Sequence, residues 1–164
     1  SITFEQSYGR IDGDSATITE MTALLSALSG LPVDQGIAVT GSLNQFGEVQ
    51  AVGGINEKIE GYYATCKVLG LTGRQGVIMP AANVPDLCLD AEVVEACANG
   101  RFHVWAVGEV AEGVELLLGA PLGALGEDGR YPPESVLGRA GRSLDRYQEV
   151  ARLQGRPKRP PPEE

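Results

Sequence analysis

The stretch GIAVTGSLNQFGEVQAVGG, residues 36–54, decides the fold class. Two β-rich runs flank NQFG, a short turn with a glycine, and that arrangement is a hairpin signal. Around it strands and helices alternate. GVIMP (76–80) reads as a short buried strand, DAEVVEACANG (90–100) as a helix, RFHVWAV (101–107) as a strand and VAEGVELLLG (110–119) as a helix. Alternation of this kind indicates an α/β chain, and the hairpin adds an antiparallel component, so the class is α/β to α+β rather than a doubly wound fold.

Working outward, SITFEQSY (1–8) reads as a strand and GRIDGD (9–14) as a loop ending at a helix N-cap. From Ser15 the apolar positions Ile18, Met21, Leu24, Leu25 and Leu28 follow the helical period, and Gly30 with Pro32 stops it. On the other side of the hairpin, a second helix runs from about Gly54 to Leu69 and ends at Gly70. After Gly119 the composition changes. Residues 119–139 form a Gly/Pro-rich linker, SLDRYQEVARLQ (143–154) an exposed helix and GRPKRPPPEE (155–164) a disordered basic end. The expected organisation is one domain over residues 1–119 and an appendage over 120–164.

With 164 residues, 43% of them hydrophobic, the chain can bury one core. No run approaches the roughly 18 uninterrupted apolar residues of a membrane helix, and the N-terminus lacks the pattern of a secretory signal. The chain opens without an initiator methionine, which predicts a piece of something longer. Cys66, Cys88 and Cys97 are odd in number and lack C-x-x-C spacing, so neither a disulfide framework nor a zinc site is indicated, and a reducing cytoplasm fits best. The net charge of −9 is unevenly spread: the first 129 residues hold 17 acidic and 5 basic side chains. A nucleic-acid-binding core needs the opposite sign.

Ser15 lies at a helix start, where backbone N–H groups lack intrahelical acceptors and can stabilise an oxyanion. Ala16 leaves room for a substrate backbone. A serine nucleophile needs a base within hydrogen-bond reach. The one histidine, His103, sits between apolar strand neighbours and reads as structural. Of the three lysines, Lys158 lies among prolines in the tail. Turning about 100° per residue along the second helix, Ile55, Ile59, Tyr62, Tyr63, Cys66 and Leu69 make one stripe. Lys58 falls at its border and Lys67 towards solvent. Only Lys58 is placed for partial desolvation, which favours a neutral amine able to take a proton. On the serine stretch alone, capping of a helix by Asp14 or Ser15 is the better reading.

The segments DGDSATITEMTALLSALSGLP (residues 12–32), IAVTGSLNQFGEVQAVGGINEKIEGYY (37–63) and GVIMPAANV (76–84) together resemble the C-terminal proteolytic domain of Lon proteases. The wording FEQSYGRIDGDSA is similar to Lon-related ATP-dependent proteases of the LonB or LonC kind. The serine motif and the lysine of GGINEK stand 43 residues apart, at the family distance. The resemblance implies the Lon proteolytic-domain fold (ribosomal protein S5 domain 2-like), a mixed sheet with packed helices, here without its N-terminal strands. It implies Ser15 as nucleophile, Lys58 as general base, Thr40 as the hydroxyl that holds the lysine amine, and Gly53 and Gly54 as the pair bringing the lysine helix close to the serine.

Two positions depart from LonA enzymes: Asp14 stands where they have proline, and Ser42 where they have an acidic residue. Asp12 and Asp14 either pair with Lys58 and switch the dyad off or cap the helix, and the cap is favoured. The implied activity is a cytoplasmic, ATP-dependent-type serine endopeptidase for unfolded or damaged proteins, working as a homo-hexamer with an AAA+ ATPase module elsewhere in the intact protein. No P-loop occurs in these residues, so ATP and Mg are expected only with that module, and no cofactor or metal of this chain's own is expected. Two alternatives compete: a non-catalytic Lon-like assembly module, as in the DNA-repair protein RadA, and a nucleic-acid adaptor resting on the basic tail.

Overall fold

A computed structural model describes residues 13–154. Helix α1 (Thr17–Ser29) buries Ile18, Thr22 and Leu25 and ends at Gly30, whose left-handed backbone directs its N–H to the Ser26 carbonyl at 2.9 Å. Strand β1 (Ile37–Val39) follows. Then come the short strands β2 (Ser42–Leu43) and β3 (Val49–Gln50). Helix α2 (Ile55–Leu69) leads to β4 (Gly76–Pro80), a 3-10 turn (Ala81–Asp86) and helix α3 (Ala91–Ala98). Strand β5 (His103–Val107), helix α4 (Val110–Leu118) and helix α5 (Val136–Gln154) complete the described chain.

Strands β1, β4 and β5 form a parallel sheet in the order β1-β4-β5, with Ala38 beside Val77 and Ile78 beside Trp105. Every residue of β4 is buried, as expected for a central strand covered on both faces. Its side chains alternate between two layers. Val77 and Met79 pack with Ile55, Ile59, Tyr63 and Cys66 of α2, with Val93 and Ala96 of α3, and with Phe102. Ile78 packs with Ile18 of α1, Val49 of β3 and Leu117 of α4. The result is an α/β sandwich with helices on both faces, the class the sequence indicates.

The predicted hairpin forms, with Ser42 opposite Gln50 and Leu43 opposite Val49. It stands as its own two-stranded sheet, so among the described residues the main sheet is wholly parallel. The hairpin is tied to the β5–α4 junction by the N–H of Val49, which donates to the Gly108 carbonyl at 2.8 Å. The strand expected over 1–8, the loop residues 9–12 and the basic end 155–164 lie outside the described residues.

Helix α5 starts seven residues before the expected Ser143, because the chain supplies a cap and an anchor the linker reading passed over. The Ser135 hydroxyl accepts the N–H of Gly138 at 3.1 Å, a side-chain N-cap. Val136 is fully buried with Leu25, Val114 and Leu118, and Ala120, Leu122 and Leu137 pack around them. Part of the Gly/Pro-rich stretch therefore packs against α1 and α4. From Leu144 to Leu153 α5 is exposed, as the sequence suggests for that half.

Candidate active site

The residues that carry chemistry converge where β1 ends. Thr40, Gly41 and Ser42 follow β1 in succession, and each holds the segment that leads into α1. The N–H of Gly41 donates to the carbonyl of Ser15 at 2.8 Å. The hydroxyl of Thr40 lies 3.4 Å from the same carbonyl. The hydroxyl of Ser42, itself buried, donates to Oδ2 of Asp14 at 2.6 Å. Gly41 permits this approach: a Cβ there would lie 2.4 Å from Cδ1 of Ile18, inside van der Waals contact.

Lys58 reaches the same point from the other side. It sits in the first turns of α2, and its Nζ donates to Oγ1 of Thr40 at 3.1 Å. The hydroxyl of Thr40 has one proton, so accepting from Lys58 leaves that proton for the Ser15 carbonyl. A continuous chain thus runs from Lys58 through Thr40 to the main-chain carbonyl of Ser15. Ser15, Ala16, Thr40 and Lys58 line one cleft of about 250 Å³, floored by Ala38, Val39 and Val77.

Several details differ from the sequence reading. Neither Asp14 nor Ser15 caps α1: the N-cap position is Ala16, with no side-chain hydrogen bond. The main chain closes the turn instead, the Thr17 N–H donating to the Asp14 carbonyl at 3.1 Å and the Thr17 hydroxyl to the same oxygen. The Asp14 carboxylate goes to Ser42 rather than to Lys58. Asp12 is outside the described residues. Lys58 is exposed in the single chain and lines the open cleft.

Of the glycine pair, only Gly54 takes a positive φ. Gly54 is the N-cap of α2 at φ +65°, a left-handed conformation that favours glycine, and its carbonyl accepts the N–H of Lys58 at 3.1 Å. A Cβ on Gly53 would meet nothing within 4 Å. Sequence reasoning passed over Gly41 and treated Ser42 only as a departure. The signal available was the succession of small residues in VTGS beside a threonine already singled out.

The other candidate bases are engaged elsewhere. Lys67 pairs with Glu92, and that hydrogen bond is the main reason its pKa is raised and that of Glu92 lowered. They line a wider groove of about 500 Å³ between α2 and α3 that contains no serine. A nitrogen of the His103 ring lies 2.9 Å from the Gly73 carbonyl, and the ring stacks on Trp105, which fits the structural reading. The three cysteines are unpaired, and burial pushes the Cys97 thiol up. Among the described residues no helix is long and apolar enough to cross a membrane.

Comparison with known proteins gives the architecture a family. The Lon protease (S16) C-terminal proteolytic domain matches residues 9–119. A Lon protease homolog of Escherichia coli is 56% identical over 118 residues, covering 72% of this chain and 20% of that protein. A Lon protease homolog of Haemophilus influenzae is 49% identical over 122 residues, covering 74% and 20%. The archaeal Lon protease of Archaeoglobus fulgidus is 40% identical over 117 residues, covering 71% and 17%. The chain thus spans about a fifth of the length of the relatives it matches. The family match covers the sandwich, the hairpin and the whole cleft, and the chain belongs to the Lon protease C-terminal proteolytic domain family.

Proposed function

We propose that this domain is a serine endopeptidase that hydrolyses peptide bonds of unfolded polypeptides through Ser15 and Lys58. The observation that carries the reading is that Ser15 and Lys58 line one cleft, with Lys58 linked through the Thr40 hydroxyl to the main-chain carbonyl of Ser15. In the reaction Lys58, in its neutral form, takes the Ser15 hydroxyl proton as Oγ attacks the scissile carbonyl. The tetrahedral intermediate collapses, the C–N bond breaks and Lys58 gives its proton to the leaving amine. Water then attacks the acyl-enzyme, Lys58 takes a proton from it and returns one to Oγ, and the acid product leaves.

The oxyanion is held by the N–H groups of Ser15 and Ala16. Both residues line the cleft, and among the described residues neither N–H has a backbone acceptor. Thr40 orients the amine and takes no proton itself. An extended substrate lies beside the cleft and bonds through its main chain, as strands added to a sheet edge do. The family resemblance supports a wider setting in which the domain works in a homo-hexameric ring, fed by an AAA+ ATPase module of the same polypeptide that binds ATP and Mg.

The test is Ser15→Ala in the full polypeptide that carries this domain, assayed on unfolded casein and with a serine-directed fluorophosphonate label. The expected result is loss of labelling and a fall in hydrolysis of about 10⁴-fold or more, with unchanged far-UV circular dichroism. Hydrolysis at the original rate would overturn the assignment of Ser15 as nucleophile, and an original protein that neither labels nor hydrolyses would favour the assembly-module alternative.

A further inference from the structure

The two positions at which this chain departs from the LonA pattern, residues 14 and 42, are hydrogen-bonded to each other. We propose that Ser42 is a positioning residue for Ser15, acting through Asp14: its hydroxyl fixes the carboxylate of the residue before the nucleophile and so fixes the peptide that carries the nucleophile. The inference rests on the reading of Ser15 as the nucleophile.

Residue 14 is fastened at both ends. Its carbonyl accepts from the N–H and hydroxyl of Thr17, and its carboxylate accepts from Ser42 at 2.6 Å. Residue 15 is fastened at its carbonyl by Gly41 and Thr40. Ser42 is a firm post for this purpose. It is 3% exposed and belongs to β2, whose pairing with β3 sets its backbone. A charge-assisted hydrogen bond from a buried hydroxyl is short and directional, and the 2.6 Å separation agrees with that.

The same bond decides where a negative charge sits beside the cleft. Asp14 is exposed and adjoins Ser15, which lines the cleft with Lys58, and its carboxylate is committed to Ser42 rather than to the Lys58 amine. An ion pair there would occupy the group that has to accept the serine proton. Ser42 therefore has two effects through one hydrogen bond. It holds the nucleophile's peptide in place, and it keeps a neighbouring carboxylate committed elsewhere.

The experiment compares Ser42→Ala, Ser42→Thr, Asp14→Ala and the Ser42→Ala/Asp14→Ala double variant in the full polypeptide, alongside Ser15→Ala. The readouts are kcat and KM on an unfolded-protein peptide, the acylation rate of the fluorophosphonate-reactive fraction, and Tm. Misplacing a reacting group by an ångström costs on the order of 100-fold, so a loosened support is expected to cost about tenfold in kcat and in acylation rate. KM should stay within about twofold. Ser42→Thr, which keeps the hydroxyl, should recover most of the rate, and the double variant should be no slower than the slower single one, because both break one interaction.

A Ser42→Ala protein that acylates at the original rate per reactive molecule overturns the proposal, even if its Tm falls, because then Ser42 only stabilises the fold. Additive losses in the double variant also overturn it. These outcomes are separable from failure of the underlying reading: if Ser15→Ala retains hydrolysis, the nucleophile is wrong, whereas a silent Ser15→Ala beside an unaffected Ser42→Ala removes only the role of Ser42.

Discussion

Thr40 has a single hydroxyl proton, and its two neighbours fix how that proton is used. Lys58 donates to Oγ1, and the Ser15 carbonyl stands ready to accept. Thr40→Val keeps the shape and removes both contacts, so it should lower kcat about 10- to 100-fold while Thr40→Ser stays within severalfold of the original; steady-state kinetics on an unfolded substrate decide this. Tyr62 gives an independent residue-scale prediction. Burial, followed by hydrogen bonding to Cys66, pushes its phenol up to about 12, while its hydroxyl donates to the Gly36 carbonyl at 3.0 Å. A folded-state pKa above the ordinary value of about 10 contributes stability that is complete below that pH and is lost as pH rises through about 12. Tyr62→Phe should therefore flatten the alkaline fall in stability, measured by urea unfolding at about pH 9 and about pH 11. Ser15 and Lys58, singled out from the sequence, line one cleft. The Ser42–Asp14 bond was not legible, because nothing local indicates that residues 28 apart in sequence will meet.

At the scale of elements, the site depends on how closely α1 approaches the turn after β1. Gly41→Ala places a Cβ 2.4 Å from Ile18 Cδ1, and Ile18 is fully buried, so the clash has no easy relief. The expected cost is about 1–3 kcal/mol with a parallel loss of acylation rate, read by chemical denaturation and fluorophosphonate labelling. Gly54→Ala meets no clash nearer than 3.7 Å but must hold φ +65°, which costs roughly 1 kcal/mol. Because Lys58 lies one turn beyond, that variant should lose activity by more than its small loss of stability explains. The helices and buried strands were legible from periodicity and punctuation: Gly30, Gly70 and Gly119 follow directly on α1, α2 and α4. The α1 cap was not, since Asp14 and Ser15 are good capping residues that tertiary contacts claim for other partners.

Among the described residues, β4 divides the core into two layers, and α5, which lies outside the stretch shared with the family, closes a third cluster. Val136 is fully buried there against Leu25, Val114 and Leu118. Val136→Asp places an unpaired charge in that cluster and should detach the start of α5, so amide exchange in α1 and α4 should quicken, by hydrogen-exchange measurement, before β4 is affected. By itself the sequence determined the α/β class and the family and singled out Ser15 and Lys58 as candidates, because periodicity, turn chemistry and motif spacing are local properties or fixed separations along one chain. Tertiary structure alone decided that the main sheet is parallel with the hairpin apart, that α5 begins in the core, and that the Asp14 carboxylate is held by Ser42. Hydrogen-bonding groups have several possible partners along a chain, and which one each takes depends on which backbones packing brings within about 3 Å.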